Sequence, residues 1–89
     1  MNKYAFIQNV PGLSVQPYEL SFDDGEWLSH VAGFDGIDKC MDYAKKLAAE
    51  GMDGIELCGS FDLDMTKAVI AAVESVNPKI PVGSNGIDV

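Results

Sequence analysis

Eighty-nine residues, 47% of them apolar, describe a single small domain with a thin core, since a chain of this length hides only roughly 60% of the surface its unfolded form exposes. Fourteen acidic side chains against six lysines and no arginine set a net charge of -8, a field that repels nucleic acid and anionic lipid surfaces. No run approaches the roughly 20 apolar residues of a membrane span and the opening MNKYAFIQNVPG lacks the pattern of a signal peptide, so the expectation is a cytoplasmic protein with neither nucleic acid nor membrane as partner.

Tyr4 to Gln8 is a short apolar run closed by Asn9, Pro11 and Gly12, the pattern of a first strand and a turn. The stretch from Leu13 to Glu26 is weaker. It holds one edge strand around Tyr18 to Phe22, kept from a central position by Pro17 and ended by the turn signal Asp23-Asp24-Gly25. Trp27 to Ala32 is the next strand, followed by Gly33. The apolar period then lengthens: Ile37, Cys40, Met41, Ala44, Leu47 and Ala48 form one stripe of a helix from about residue 36 to 50, with Asp35 placed to cap it and Gly51 to end it. Gly54 to Cys58 is a short apolar strand. Asp62 or Asp64 can cap a second helix in which Met65, Val69, Ala72, Val73 and Val76 line up, and Asn77-Pro78 stops it. Ile80 to Val82 closes the series as a last strand.

Three turns look alike. Gly33, Gly59 and Gly83 each follow an apolar strand and lead through a short polar turn to an aspartate, at nearly equal spacing. Such strand-helix units, joined by right-handed crossovers, lay their strands in parallel, here expected in the order 27–32, 54–58, 80–83. The fold class is therefore α/β: a small, mostly parallel four-stranded sheet with two helices, resembling part of a (β/α) barrel or half of a doubly wound sheet. The thin core makes docking on a second copy, a homodimer, the natural way to complete burial.

Ligands of open parallel sheets bind beyond the carboxyl ends of the strands, where turns vary and helix N-termini offer unpaired N–H groups. Gln8, Asn9, Gly59, Ser60, Ser84 and Asn85 are the candidate ligand-binding residues on that edge. Within the strand 54–58, Glu56 and Cys58 share a face, so a carboxylate and a thiol point the same way from the middle of the sheet and become a candidate acid-base and nucleophile pair. Their plainer roles are a paired carboxylate and a small core residue. His30, the sole imidazole, lies on the face opposite Trp27, Ser29 and Val31. It is the first candidate for proton transfer near neutral pH, and otherwise a histidine hydrogen-bonded at a sheet face. Gly83-Ser84-Asn85-Gly86 resembles a weak anion-binding loop, without the lysine of a P-loop.

Cys40 falls on the apolar stripe of the first helix and reads as core. Two cysteines and one histidine suit neither a disulfide framework nor a zinc site, and the acidic residues match no calcium loop, so no metal or cofactor is expected.

The segments AFIQNVPG, LAAEG, GIELCGSF and IPVG, in this order, resemble a family of small bacterial proteins classed as a domain of unknown function. IELCG-x-F is the most specific part and residues 13 to 26 the least similar. The resemblance implies a compact α/β organisation and brings no activity, so Cys58 is carried over only within Ile55-Glu56-Leu57-Cys58-Gly59.

Two functions fit these residues. One is an oligomeric binding or accessory domain that holds a small polar metabolite at the carboxyl edge of its sheet. The other is a small lyase, isomerase or hydrolase using Cys58 with Glu56 or His30. Size favours the first, because so short a chain hardly encloses a pocket of roughly 300 Å³ unless two subunits share it.

Overall fold

The computed structural model describes residues 2–10, 12 and 17–84. Their elements run β1 (Asn2–Asn9), β2 (Tyr18–Asp23), β3 (Trp27–Phe34), α1 (Ile37–Glu50), β4 (Gly54–Leu57), α2 (Leu63–Val76) and β5 (Val82–Ser84). The class is mixed α/β as expected, but the sheet has five strands, in the order β2-β3-β1-β4-β5. Four are parallel, and the fifth, β2, pairs antiparallel with the outer side of β3. The segment after Pro17 is thus the edge strand its composition suggests. It joins the sheet because the Asp23-Asp24-Gly25 turn folds it back: Asp24 Oδ1 accepts from the backbone N–H groups of Glu26 and Trp27, at 2.9 and 2.8 Å, and those donors hold its carboxyl below the ordinary range.

The strand order needs one correction. Residues 27–34 and 54–57 are not neighbours: β1 lies between them, with Ala5 opposite both His30 and Ile55. Spacing alone cannot reveal this, since a crossover helix spans one neighbouring strand as readily as none. Both crossovers, β3-α1-β4 and β4-α2-β5, step across the sheet in the same direction. The right-handed rule then sets both helices on one face.

The core lies between that face and the helices: Ala5 and Ile7 of β1, Ala32 of β3, and Ile55 and Leu57 of β4 pack with Cys40, Tyr43, Ala44, Leu47 and Ala48 of α1 and with Val69 and Val73 of α2. On α2 the buried stripe is Thr66, Val69 and Val73, while Val76, expected on it, is exposed at the helix end. Gly51 ends α1 in the left-handed region, φ 85°, and Asp62 caps α2 by accepting from Met65 N at 2.8 Å. Asp35 does not cap α1. The N-cap is Gly36, with no side-chain cap, and Asp35 Oδ1 accepts instead from the backbone N–H of Gly12 at 2.9 Å. The last strand begins two residues later than the sequence suggests, because Pro81 has no N–H to donate. Its carbonyl accepts from Ile55 N at 3.0 Å, and the ladder proper starts at Val82.

Candidate functional site

All four parallel strands run the same way, so their carboxyl ends form one rim, with Gly33 and Gly59 at it and Gly83 within β5, level with Glu56. The polar groups gathered there are largely spent on one another. Asn9, only 2% exposed, accepts from Gly36 N through Oδ1 at 3.1 Å and donates from Nδ2 to Met65 Sδ at 3.7 Å, while its backbone N–H reaches Ser60 Oγ at 3.3 Å. One buried side chain thus ties the starts of both helices to the end of β1. Ser60 Oγ also lies 2.5 Å from Cys58 Sγ, and Ser60 N donates to that sulfur at 3.4 Å. Gln8 accepts from the hydroxyl of Tyr18. Gly59 is exposed. Asn85, and the loop it was expected to form with Gly86, lie outside the described residues. Gly83 and Ser84 belong to β5 rather than to a turn.

The thiol, the imidazole and the carboxylate are not brought together. His30 is on the helix side of β3, with Nδ1 2.7 Å from Ser21 Oγ. Glu56 is on the opposite side of the sheet, in register with Phe6 and Gly83. Strand spacing and rise put His30 and Cys58 about 14 Å apart, two strands across and three residues along. Cys58 falls just beyond the end of β4, continues the ladder by donating its N–H to Ile7 O at 3.0 Å, and packs against the helix-side core. Cys40, wholly buried, has its thiol pushed up to about 11 by burial, with the nearby Cys58 adding to the shift. Tyr43 is raised further still, chiefly by burial and then by the Glu19 carboxylate of β2 beside it. Both are core groups kept neutral. Among the described residues, no cluster of histidine, cysteine and acidic side chains has a metal-holding arrangement.

Open grooves lie beside α1, lined by Phe34, Tyr43 and Lys46, and on the side of the sheet away from the helices. Alternation along the strands assigns it Tyr4, Phe6 and Gln8 of β1, Tyr18, Leu20 and Phe22 of β2, Trp27, Ser29, Val31 and Gly33 of β3, Gly54 and Glu56 of β4, and Gly83 of β5. Three glycines on this face are each covered by the side chain directly opposite. Tyr18 lies over Gly33, Tyr4 over Gly54, where a Cβ would be 3.1 Å from the ring, and Glu56 over Gly83, where a Cβ would be 2.6 Å from Oε2. Tyr4 also stacks on Trp27, with ring centroids 5.5 Å apart. Beside Tyr4 and Glu56 is a groove of about 350 Å³, lined also by Gly54, Pro81, Val82 and Gly83.

Glu56 is the one charged side chain among the described strand residues of this face. Sequence reasoning placed it in the site for another reason, its neighbour Cys58, and missed Tyr4, Gly54 and Tyr18 altogether. The signal for the face was present: in β2 every second residue, Tyr18, Leu20 and Phe22, is apolar between Glu19, Ser21 and Asp23, which is the pattern of a strand with one apolar side.

Among the described residues, no helix is long and apolar enough to cross a membrane. No curated protein matches the sequence. A family of unknown function, DUF6506, does match, over residues 2–89, which is nearly the whole chain and includes every strand and both helices described above. The chain belongs to that family of unknown function.

Proposed function

We propose that the chain is a homodimeric binding or accessory domain rather than an enzyme, whose two copies meet through the uncovered sheet face and which holds a small polar metabolite. The observation that carries this reading is the exposure of Leu20, Phe22 and Trp27, at 55%, 59% and 47%, on the neighbouring strands β2 and β3. A single exposed apolar residue needs no explanation, but a contiguous apolar patch marks a contact surface. Charge favours a second copy as its occupant. The chain carries -8 overall, and Glu56 is the one charged side chain among the described strand residues of this face, although Asp23 and Asp24 border the patch beside Phe22 and Trp27. The area suits a dimer too: five strands about 4.8 Å apart make a face roughly 20 Å wide, and two such faces together remove on the order of 1,000 Å² from water, the lower end of stable interfaces.

Sedimentation equilibrium tests the reading. Wild type is expected at twice the chain mass, and the double variant Leu20→Lys, Phe22→Lys at the chain mass with an unchanged far-ultraviolet spectrum. A wild-type monomer at every concentration sinks it. For the metabolite, mutual satisfaction of the rim's polar groups favours the groove beside Glu56 over the carboxyl edge. The two unpaired cysteines support a cytoplasmic location. A second reading, a small lyase, isomerase or hydrolase, rests on the short Cys58–Ser60 contact, and thiol labelling decides it.

A further inference from the structure

The geometry points to a site for a small organic cation, a primary or quaternary ammonium on a short apolar body, in the groove lined by Tyr4, Gly54, Glu56, Pro81, Val82 and Gly83. This names the ligand class of the binding domain proposed above and rests on that reading. Glu56 is half-buried, and among the described residues neither a hydrogen-bond donor nor a cation reaches its carboxylate. A carboxylate at the wall of a largely apolar groove, with no partner of its own in the fold, is open to a cation supplied by a ligand.

The rest of the groove selects the class. Its volume, about 350 Å³, is at the small end of ligand sites. The ring of Tyr4, kept in place between Gly54 and its stack on Trp27, offers an aromatic surface to an ammonium group. Anions are opposed by Glu56 and by the charge of the whole chain. A hard metal ion is a poor fit, because calcium needs about six or more oxygen ligands and the groove's charged oxygens come from one side chain. The groove lies on β4 and β5, at the opposite margin of the five-strand face from Leu20 and Phe22, so in a dimer seated on that face it falls at the rim of the interface, beside the edge strand β5.

The test is a titration of nitrogen-15-labelled full chain with tyramine, choline and putrescine, with 4-hydroxyphenylacetate as a probe bearing the ring of tyramine and the opposite charge. At least one cation is expected to give saturable shifts at Gly54, Glu56 and Gly83, and the anion none. Glu56→Gln, an isosteric change, is expected to weaken that cation about tenfold or more, as loss of a charge-assisted contact does. Tyr4→Leu serves as a second variant with the carboxylate intact, and is expected to weaken choline most. No saturable shift from any cation, equal binding of 4-hydroxyphenylacetate, or undiminished binding by Glu56→Gln overturns the site. Sedimentation of the same samples keeps the two proposals apart: a dimer that ignores the cations overturns the site alone, and a monomer that binds them overturns the dimer alone.

Discussion

Tyr18 fills the space in which Gly33 would otherwise carry a side chain, directly across the β2–β3 pair. The ring can sit there only because position 33 is bare, and its hydroxyl is then within reach of Gln8 two strands away. Gly33→Ala drives a methyl into the ring, and the ring escapes only by giving up Gln8. The expected loss is about 1 kcal/mol, the lower end for overpacking because the atoms met are the far end of one half-buried side chain, read from urea denaturation. Because the clash is with one side chain, Tyr18→Ser in the Gly33→Ala background should recover part of it. Strict additivity of the two changes would show that the ring is not what fills the space.

Asn9 is the second position where one substitution reads out a structural claim. Asn9→Ala leaves Gly36 N without its acceptor and opens a buried space between the two helix starts. A loss of about 1–3 kcal/mol is expected by chemical denaturation, the cost of stranding a buried donor. A change within experimental error would mean that water replaces the side chain freely.

The two cysteines should separate cleanly under iodoacetamide. Cys40 is fully buried, with a thiol near 11, and is expected to resist labelling until denaturant is added, whereas Cys58 is partly exposed. Mass spectrometry of the labelled native chain reads the outcome. Labelling of Cys58 at a rate that titrates well below about pH 8, where a free thiol is near 8.5, favours the enzymatic reading, and resistance of both thiols removes it.

Alkaline pH should destabilise the fold in a definite window. The Cys40 thiol is raised from 9.0 to about 11 in the folded chain, so above pH 9 the unfolded chain releases its proton first and the folded chain binds more. Stability is then fully present below pH 9 and lost as pH rises through about 11, by at most about 3 kcal/mol for a shift of this size. Tyr43, raised in the same direction from 10.0, extends the loss further. Cys40→Ala should flatten the lower part of the slope, and a stability flat from pH 8 to 11 in wild type would contradict the burial argument.

Much of the architecture is legible in the residues because it is local. The apolar period of 37–48, Gly51 past its end, and Asp62 three residues before the N–H it caps are all set within one or two turns of chain. What the sequence hides is settled between distant segments. Asp35 has the right type and place for a cap, yet its carboxylate is taken by Gly12, and Asn9 serves α1 instead through Gly36 N. The insertion of β1 between β3 and β4 is likewise invisible to spacing. The candidate site shows the same division. Glu56 and Cys58 are two residues apart, and alternation would give them one face, but the strand ends at Leu57, and the thiol packs with the helix-side core while the carboxylate leans over Gly83. The alternating apolar residues of β2 were readable, but the absence of a helix above them follows only from the direction of both crossovers.

The joint at Asn9 has a dynamic consequence. A single side chain accepts from the N-cap residue of α1 and donates to a methionine in the first turn of α2, while its own backbone N–H is held by the turn at Ser60. Fraying at the start of α1 therefore loosens a side chain that also touches the start of α2. Amide exchange at Gly36 and at Ser60 to Met65 should rise and fall as one cooperative unit, distinct from the ends of the same helices at Gly51 and Asn77.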